Sequence, residues 1–208
     1  MIHKNNILAV LDSLREVSFP AILTSKNFVQ EIIKPLEQIL KNKVSYDFGY
    51  TKGVIFTDGY VLKIPFLADE KGSLFTGAFS YEGWDYCEAE VKLYGLAEIY
   101  GVEKAFLKTL YFGTIQRYPI YIQHIIDLME PPIIKHTNFN ASQFCREHDL
   151  YCFDEDWIEQ YAYTYSEKDL LKLYEFLEEE NIIGDLHSDN LGYYHQKPVI
   201  VDYAGFYE

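Results

Sequence analysis

The stretch IIGDLHSDNLGYYHQKPVIVDYAGF, residues 182–206, contains two short apolar, β-prone runs, Leu191–Tyr194 and Pro198–Asp202, joined by a polar turn at His195–Lys197. This pattern predicts a small hairpin. Asp185 and Asn190 stand just before its first strand and Asp202 closes its second. Reversal of the chain therefore brings their three oxygen-bearing side chains to one end. Oxygen donors of this kind suit Mg²⁺, which takes one or two carboxylates and completes its shell with water and substrate phosphates. The non-catalytic alternative is a buried hairpin beside a solvated acidic loop.

GDLHSDN followed by VDYAG resembles the catalytic loop and metal-binding motif of protein-kinase-like and aminoglycoside-phosphotransferase-like enzymes. In that family an Asp is followed five residues later by an Asn, then by a hairpin and a second Asp beside a Gly. Asp185 and Asn190 reproduce that step, and Asp202 stands at the second Asp, with Tyr203 and Ala204 before Gly205 departing from the usual triplet. Phosphoryl transfer needs a carboxylate to orient the attacking hydroxyl and an Asp and Asn to hold Mg²⁺ on the phosphates. The resemblance implies these roles for Asp185, Asp202 and Asn190. His187 lies among them and is a minor candidate metal ligand. Gly184 precedes Asp185, as in small-molecule phosphotransferases, where regulated protein kinases have Arg.

Upstream, VSYDFGYTKGVIFTDGYVLKIPF (residues 44–66) has strand character, with runs at Val44–Gly49, Gly53–Thr57 and Tyr60–Phe66 and a hairpin signal at Asp58-Gly59. Gly49 and Gly53 bracket a turn whose N–H groups can approach phosphate; a plain tight turn is the simpler reading. Lys63 sits between apolar neighbours on the third strand. In the resembled family the first strands carry a Gly-rich loop and then a lysine that holds the nucleotide's phosphates. VLKIP is similar to that lysine strand, whereas GYTKG departs from GxGxxG. A connecting loop over 67–80 leads to a helix expected over Tyr81–Tyr100. The family pairs the strand lysine with a helix Glu, for which Glu90 and Glu88 compete. They lie about 200° apart around a helix, and apolar neighbours favour Glu90. Strands follow at Phe106–Gly113 and Tyr118–Ile122. By resemblance the second runs into an interlobe hinge, where His124, Ile125 and Ile126 offer backbone groups to adenine. Pro131 and Pro132 mark the start of a second lobe.

Helical spacing appears over 5–17 and again over Lys26–Leu40, with Ser25 as N-cap and Pro35 as a kink. Further helices are expected at Ser142–His148 and Asp154–Tyr163. The acidic run at 154–156 reads as a solvated helix start. A capping-box-like opening at Ser166 and Asp169 precedes an apolar-rich helix to Glu180.

The 208 residues are 49% hydrophobic and 17% aromatic, with 19 Tyr, enough for a substantial core filled by rings. Thirty-two acidic against 18 basic residues give a net charge of −14. A surface of that sign repels phosphate backbones and anionic lipids, so neither nucleic acid nor a membrane is an expected partner. ATP remains compatible, because metal ions and local cations set the field inside a site. Three cysteines without ligand spacing point to reduced thiols and a cytoplasmic setting. No signal-peptide core or long apolar run is visible.

These readings combine into an expected α+β, bilobal, protein-kinase-like fold. Residues 1–43 form a helical preface, 44–126 a lobe with a small antiparallel sheet, and 127–208 a reduced helical lobe with the catalytic loop. The implied activity is ATP- and Mg²⁺-dependent phosphoryl transfer to a hydroxyl of a protein or small molecule. A pseudokinase acting as a binding module and a nucleotidyltransferase on the same fold are the alternatives. Only Tyr203–Glu208 follow Asp202, about 20 Å of extended chain. A peptide-docking platform is then expected from elsewhere, including a protein partner.

Overall fold

The computed structural model describes residues 5–68, 71, 86–126, 139–148, 155–182 and 190–203. It is an α+β chain with a five-stranded antiparallel sheet and a separate two-stranded sheet. It divides into two compact units, 1–91 with 109–125, and 92–108 with 126–208.

In the first unit, α1 (Ile7–Glu16) begins where the Asn6 side chain accepts the amide of Leu8. Its apolar stripe buries Val10, Leu11 and Leu14. A second helical run passes from α2 (Ser25–Phe28) through a π-helical turn (Val29–Ile33) into α3 (Lys34–Leu40). Thr24 occupies the N-cap expected of Ser25, and its amide donates to Asn27 Oδ1 at 2.8 Å. The irregularity expected at Pro35 falls in the turn before it. Pro35 has no N–H to donate back along the helix, and the Lys34 amide reaches Val29 O, five residues back.

The sheet runs β1 (Ser45–Phe48), β2 (Lys52–Phe56), β3 (Tyr60–Pro65), β5 (Tyr118–His124), β4 (Leu110–Ile115). The β2–β3 hairpin turns on Asp58-Gly59, with Gly59 at φ +82° and Thr57 N–H donating to Tyr60 O at 2.8 Å. β3 is the middle strand, and strand alternation gives it two chemically different faces. Leu62 and Ile64 join Ile55, Ile115, Tyr118 and Ile120 in one core with the helices α1 to α3. Lys63 and its cross-strand neighbours Val54 and Tyr121 point the other way. At the β4–β5 turn, Gln116 lies in the left-handed region at φ +55°. Its side-chain amide fixes the link after α1 by accepting from Phe19 N–H at 3.1 Å and donating to Val17 O at 2.6 Å.

Helix α4 (Tyr86–Tyr100) follows β3, and its first turns belong to the first unit. The expected start at Tyr81, most of the 67–80 loop and the Pro131-Pro132 boundary lie outside the described residues.

In the second unit, α5 (Ala141–Glu147), α6 (Glu155–Thr164) and α7 (Glu167–Glu179) accompany the hairpin β6 (Leu191–Tyr194) and β7 (Lys197–Ile200). Glu155 and Asp156 are exposed at the start of α6, while Trp157, Ile158 and Tyr161 are buried. The strand expected to begin at Phe106 begins instead at Leu110. Residues Glu103–Ala105 form a 3-10 turn, and Phe106 makes a parallel bridge to Ile200. Leu107 N–H donates to Ile200 O at 2.9 Å, and Tyr165 OH donates to Lys104 O at 3.3 Å. These bonds attach residues 92–108 to the second unit, although the sequence pattern groups them with 44–126. No described helix is long and apolar enough to cross a membrane.

Candidate functional site

Two groups of polar side chains stand out, one in each unit. The first surrounds Glu90 on the non-core face of the sheet. Lys63 Nζ lies 2.6 Å from Glu90 Oε2, with Lys63 4% and Glu90 0% exposed. Of the two competing glutamates, Glu90 is therefore the one facing Lys63; Glu88 is only partly buried. Thr109 Oγ1 donates to the same Oε2 at 2.6 Å and accepts from Gln123 Nε2 at 3.0 Å. Lys52 Nζ contacts the other oxygen, Oε1, at 3.2 Å. All five side chains are buried.

Charged groups removed from water are tolerated when paired and hydrogen-bonded, and stripping one partner from such a pair typically costs about 3–5 kcal/mol. The arrangement thus holds Glu90 in one orientation and ties Lys63 to the middle of the sheet. No sequence motif marks Lys52, Thr109 or Gln123. Pairing of Val54 with Lys63 puts Lys52 on the Lys63 face as its diagonal neighbour, so the β2–β3 register was the available signal. Nothing local marks Thr109 or Gln123.

Gly49 and Gly53 each have a place in the β1–β2 hairpin. Gly49 N–H closes the β1–β2 turn on Lys52 O at 3.0 Å, and Gly53 lies within β2 opposite Phe48. Neither has a left-handed φ. A Cβ on Gly53 would overlap the ring of Phe28, which is fully buried and packs at 5.6 Å on Phe66. Close helix packing therefore accounts for Gly53, and turn closure uses the Gly49 amide. At the expected hinge, His124 ends β5 opposite Tyr60, their rings 4.7 Å apart. Ile125 N–H is engaged by Gly59 O at 3.1 Å, so that donor belongs to the sheet. Ile126 begins the second segment of the second unit.

The second group is at the open end of the β6–β7 hairpin. His195 and Gln196 form its two-residue turn, with φ +51° and +64°. Positive φ at both positions matches the right-handed twist of paired strands. Leu191 opposes Ile200, and beyond that pair Val201 N–H donates to Asn190 O at 2.8 Å. Asn190 and Asp202 are thereby brought to the same end, as the chain reversal requires. Asp202 sits at φ +53°, an uncommon conformation for a residue other than glycine. Tyr203 next to it is fully buried, packs on Phe106 at 4.9 Å and donates to Leu107 O at 3.3 Å. This anchoring holds the backbone around Asp202. A carboxylate and an amide oxygen are donor types that hard cations accept; among the described residues no group of three or more His, Cys, Asp or Glu side chains is placed to hold a metal ion. Asp185 and His187 lie outside the described residues.

Of the cysteines, Cys87 and Cys145 are buried. Burial, helped by the nearby Glu155 charge, raises the Cys145 pKa and disfavours its reactive thiolate. Comparison of the chain with protein-family models, curated proteins and solved structures finds no match.

Proposed function

We propose that the chain is an ATP- and Mg²⁺-dependent phosphotransferase on a bilobal protein-kinase-like fold, acting on a hydroxyl of a protein or small molecule. The observation that carries this reading is the buried Lys63–Glu90 pair, 2.6 Å long, between the middle strand and the helix after it. A lysine fixed by a helix glutamate is the arrangement that presents an ammonium to nucleotide phosphates in such enzymes. The hairpin end with Asn190 and Asp202 supports the reading independently, since those residue types at that place are the ones required to hold Mg²⁺.

In this mechanism Glu90 orients Lys63, and Lys63 binds the phosphates of ATP. Asn190 and Asp202 would hold Mg²⁺, which would neutralise charge on the phosphates. Asp185 accepts a hydrogen bond from the acceptor hydroxyl and aims its oxygen at the terminal phosphorus. Transfer forms the bond from that oxygen to phosphorus, breaks the bond to the ADP oxygen, and passes the hydroxyl proton towards Asp185.

The test incubates the full chain with Mg·ATP and candidate acceptors and measures products by mass spectrometry. Addition of a phosphate, with loss of most turnover but retention of nucleotide binding in Asp185→Asn, is expected. Addition of AMP instead would make the chain a nucleotidyltransferase. Nucleotide binding with no transfer to any acceptor would make it a pseudokinase.

A further inference from the structure

We infer that Lys52 is the standing counter-ion of Glu90, a positioning residue that releases the charge of Lys63 for an anionic ligand. Within the activity proposed above that ligand is the polyphosphate of ATP, so the inference deepens that reading and rests on it. The two lysines come from adjacent strands and take different oxygens of one carboxylate: Lys63 is 2.6 Å from Oε2 and Lys52 is 3.2 Å from Oε1. Thr109 adds a hydroxyl to Oε2 at 2.6 Å, itself held by Gln123.

A lysine ammonium has three N–H donors. Lys63 directs one of them to Glu90, its only acceptor among the described residues. Were Lys63 the sole cation on Glu90, drawing its charge towards a phosphate would leave a carboxylate paired only by a neutral hydroxyl where no solvent reaches it. Such a buried, unpaired charge is strongly disfavoured. With Lys52 on Oε1, the carboxylate keeps a cation and its orientation while Lys63 turns its remaining donors to the ligand. In this arrangement Lys52 acts on the ligand through Glu90 and Lys63.

The experiment uses the full chain as parent, Lys52→Met, Lys52→Arg and Lys63→Met. Each is titrated calorimetrically with Mg·ATP and with inorganic tripolyphosphate, and each thermal midpoint is recorded without ligand. Lys63→Met should fold, because Lys52 still pairs Glu90, and should bind both ligands on the order of 10- to 100-fold more weakly. Lys52→Met should also fold but bind roughly tenfold more weakly, since Lys63 is now held by Glu90 alone. Lys52→Arg should recover most of that loss, which a purely space-filling role for Lys52 does not predict.

Parental affinity in Lys52→Met would overturn the inference while leaving the nucleotide reading in place. Failure of either methionine variant to fold would also overturn it, by showing that one lysine cannot hold Glu90. Tripolyphosphate bound as tightly as Mg·ATP, with the Lys52 effect intact, would support the inference and show that the site reads the polyphosphate and not the nucleoside. A parent that binds neither ligand would overturn both.

Discussion

At Gly53 the absence of a side chain leaves room for the Phe28 ring. Every ring atom nearest that position is closer than a real Cβ tolerates, and the ring is wedged among Tyr46, Phe48 and Phe66. Gly53→Ala is accordingly predicted to destabilise the chain by roughly 1–3 kcal/mol, the usual range for overpacking. Gly49→Ala, which meets no atom within 4 Å, should change stability by no more than about 0.5 kcal/mol. Urea unfolding of both variants measures the difference. Phe28→Leu in the Gly53→Ala background should recover part of the loss; strictly additive costs would show that the ring is not the obstacle. Packing thus separates Gly53, kept for the Phe28 ring, from Gly49 in an open turn, a distinction that the spacing GYTKG does not contain.

Helix α7 shows how one cap joins local sequence to pH dependence. Asp169 N–H donates to Ser166 Oγ at 3.0 Å, and Ser166 Oγ donates to Asp169 Oδ2 at 2.7 Å. Lys104 Nζ pairs with Asp169 Oδ1 at 3.0 Å. The Ser166 hydroxyl, followed by the Lys104 contact, holds the Asp169 pKa below its ordinary value. A carboxylate whose folded pKa is depressed contributes stability above its unfolded pKa, about 3.9 for Asp, and loses it as pH falls through the folded value. Ser166→Ala should therefore cost about 1 kcal/mol at pH 7, and the gap from the parent should narrow as the pH falls below about 4. Denaturant midpoints at pH 7 and pH 3 check this. A gap that stays constant or widens in acid would show that the serine acts without the Asp169 charge.

For the whole molecule, the decisive property is whether Mg·ATP stabilises the folded chain. A ligand at about a hundred times its dissociation constant adds roughly 2.7 kcal/mol, a rise of a few degrees in thermal midpoint. That rise is predicted for the parent and should be lost in Asp202→Ala. An equal rise in both would remove Asp202 from the metal site. The net charge of −14 sharpens the test. A surface of that sign does not by itself attract ATP, so stabilisation has to come from a local site.

The sequence by itself determined those features whose causes lie within a few residues. Asp58-Gly59 and the alternating runs around it specified the first hairpins, the polar turn at His195 specified the last, and apolar spacing specified the helices. Because the final hairpin is local, the meeting of Asn190 and Asp202 was also legible, and apolar neighbours marked Glu90 as the inward glutamate. Tertiary structure alone decided the rest. Lys52 and Glu90 are 38 residues apart, and only the β2–β3 register and the docking of α4 bring them together. Gly53 is explained by a ring from α2, and the strand starts at Leu110 because residues 106 and 107 bond to Ile200. Periodicity and turn chemistry describe a segment's own preferred conformation. They do not describe which distant segment will occupy its face, and that pairing placed two lysines on one buried carboxylate.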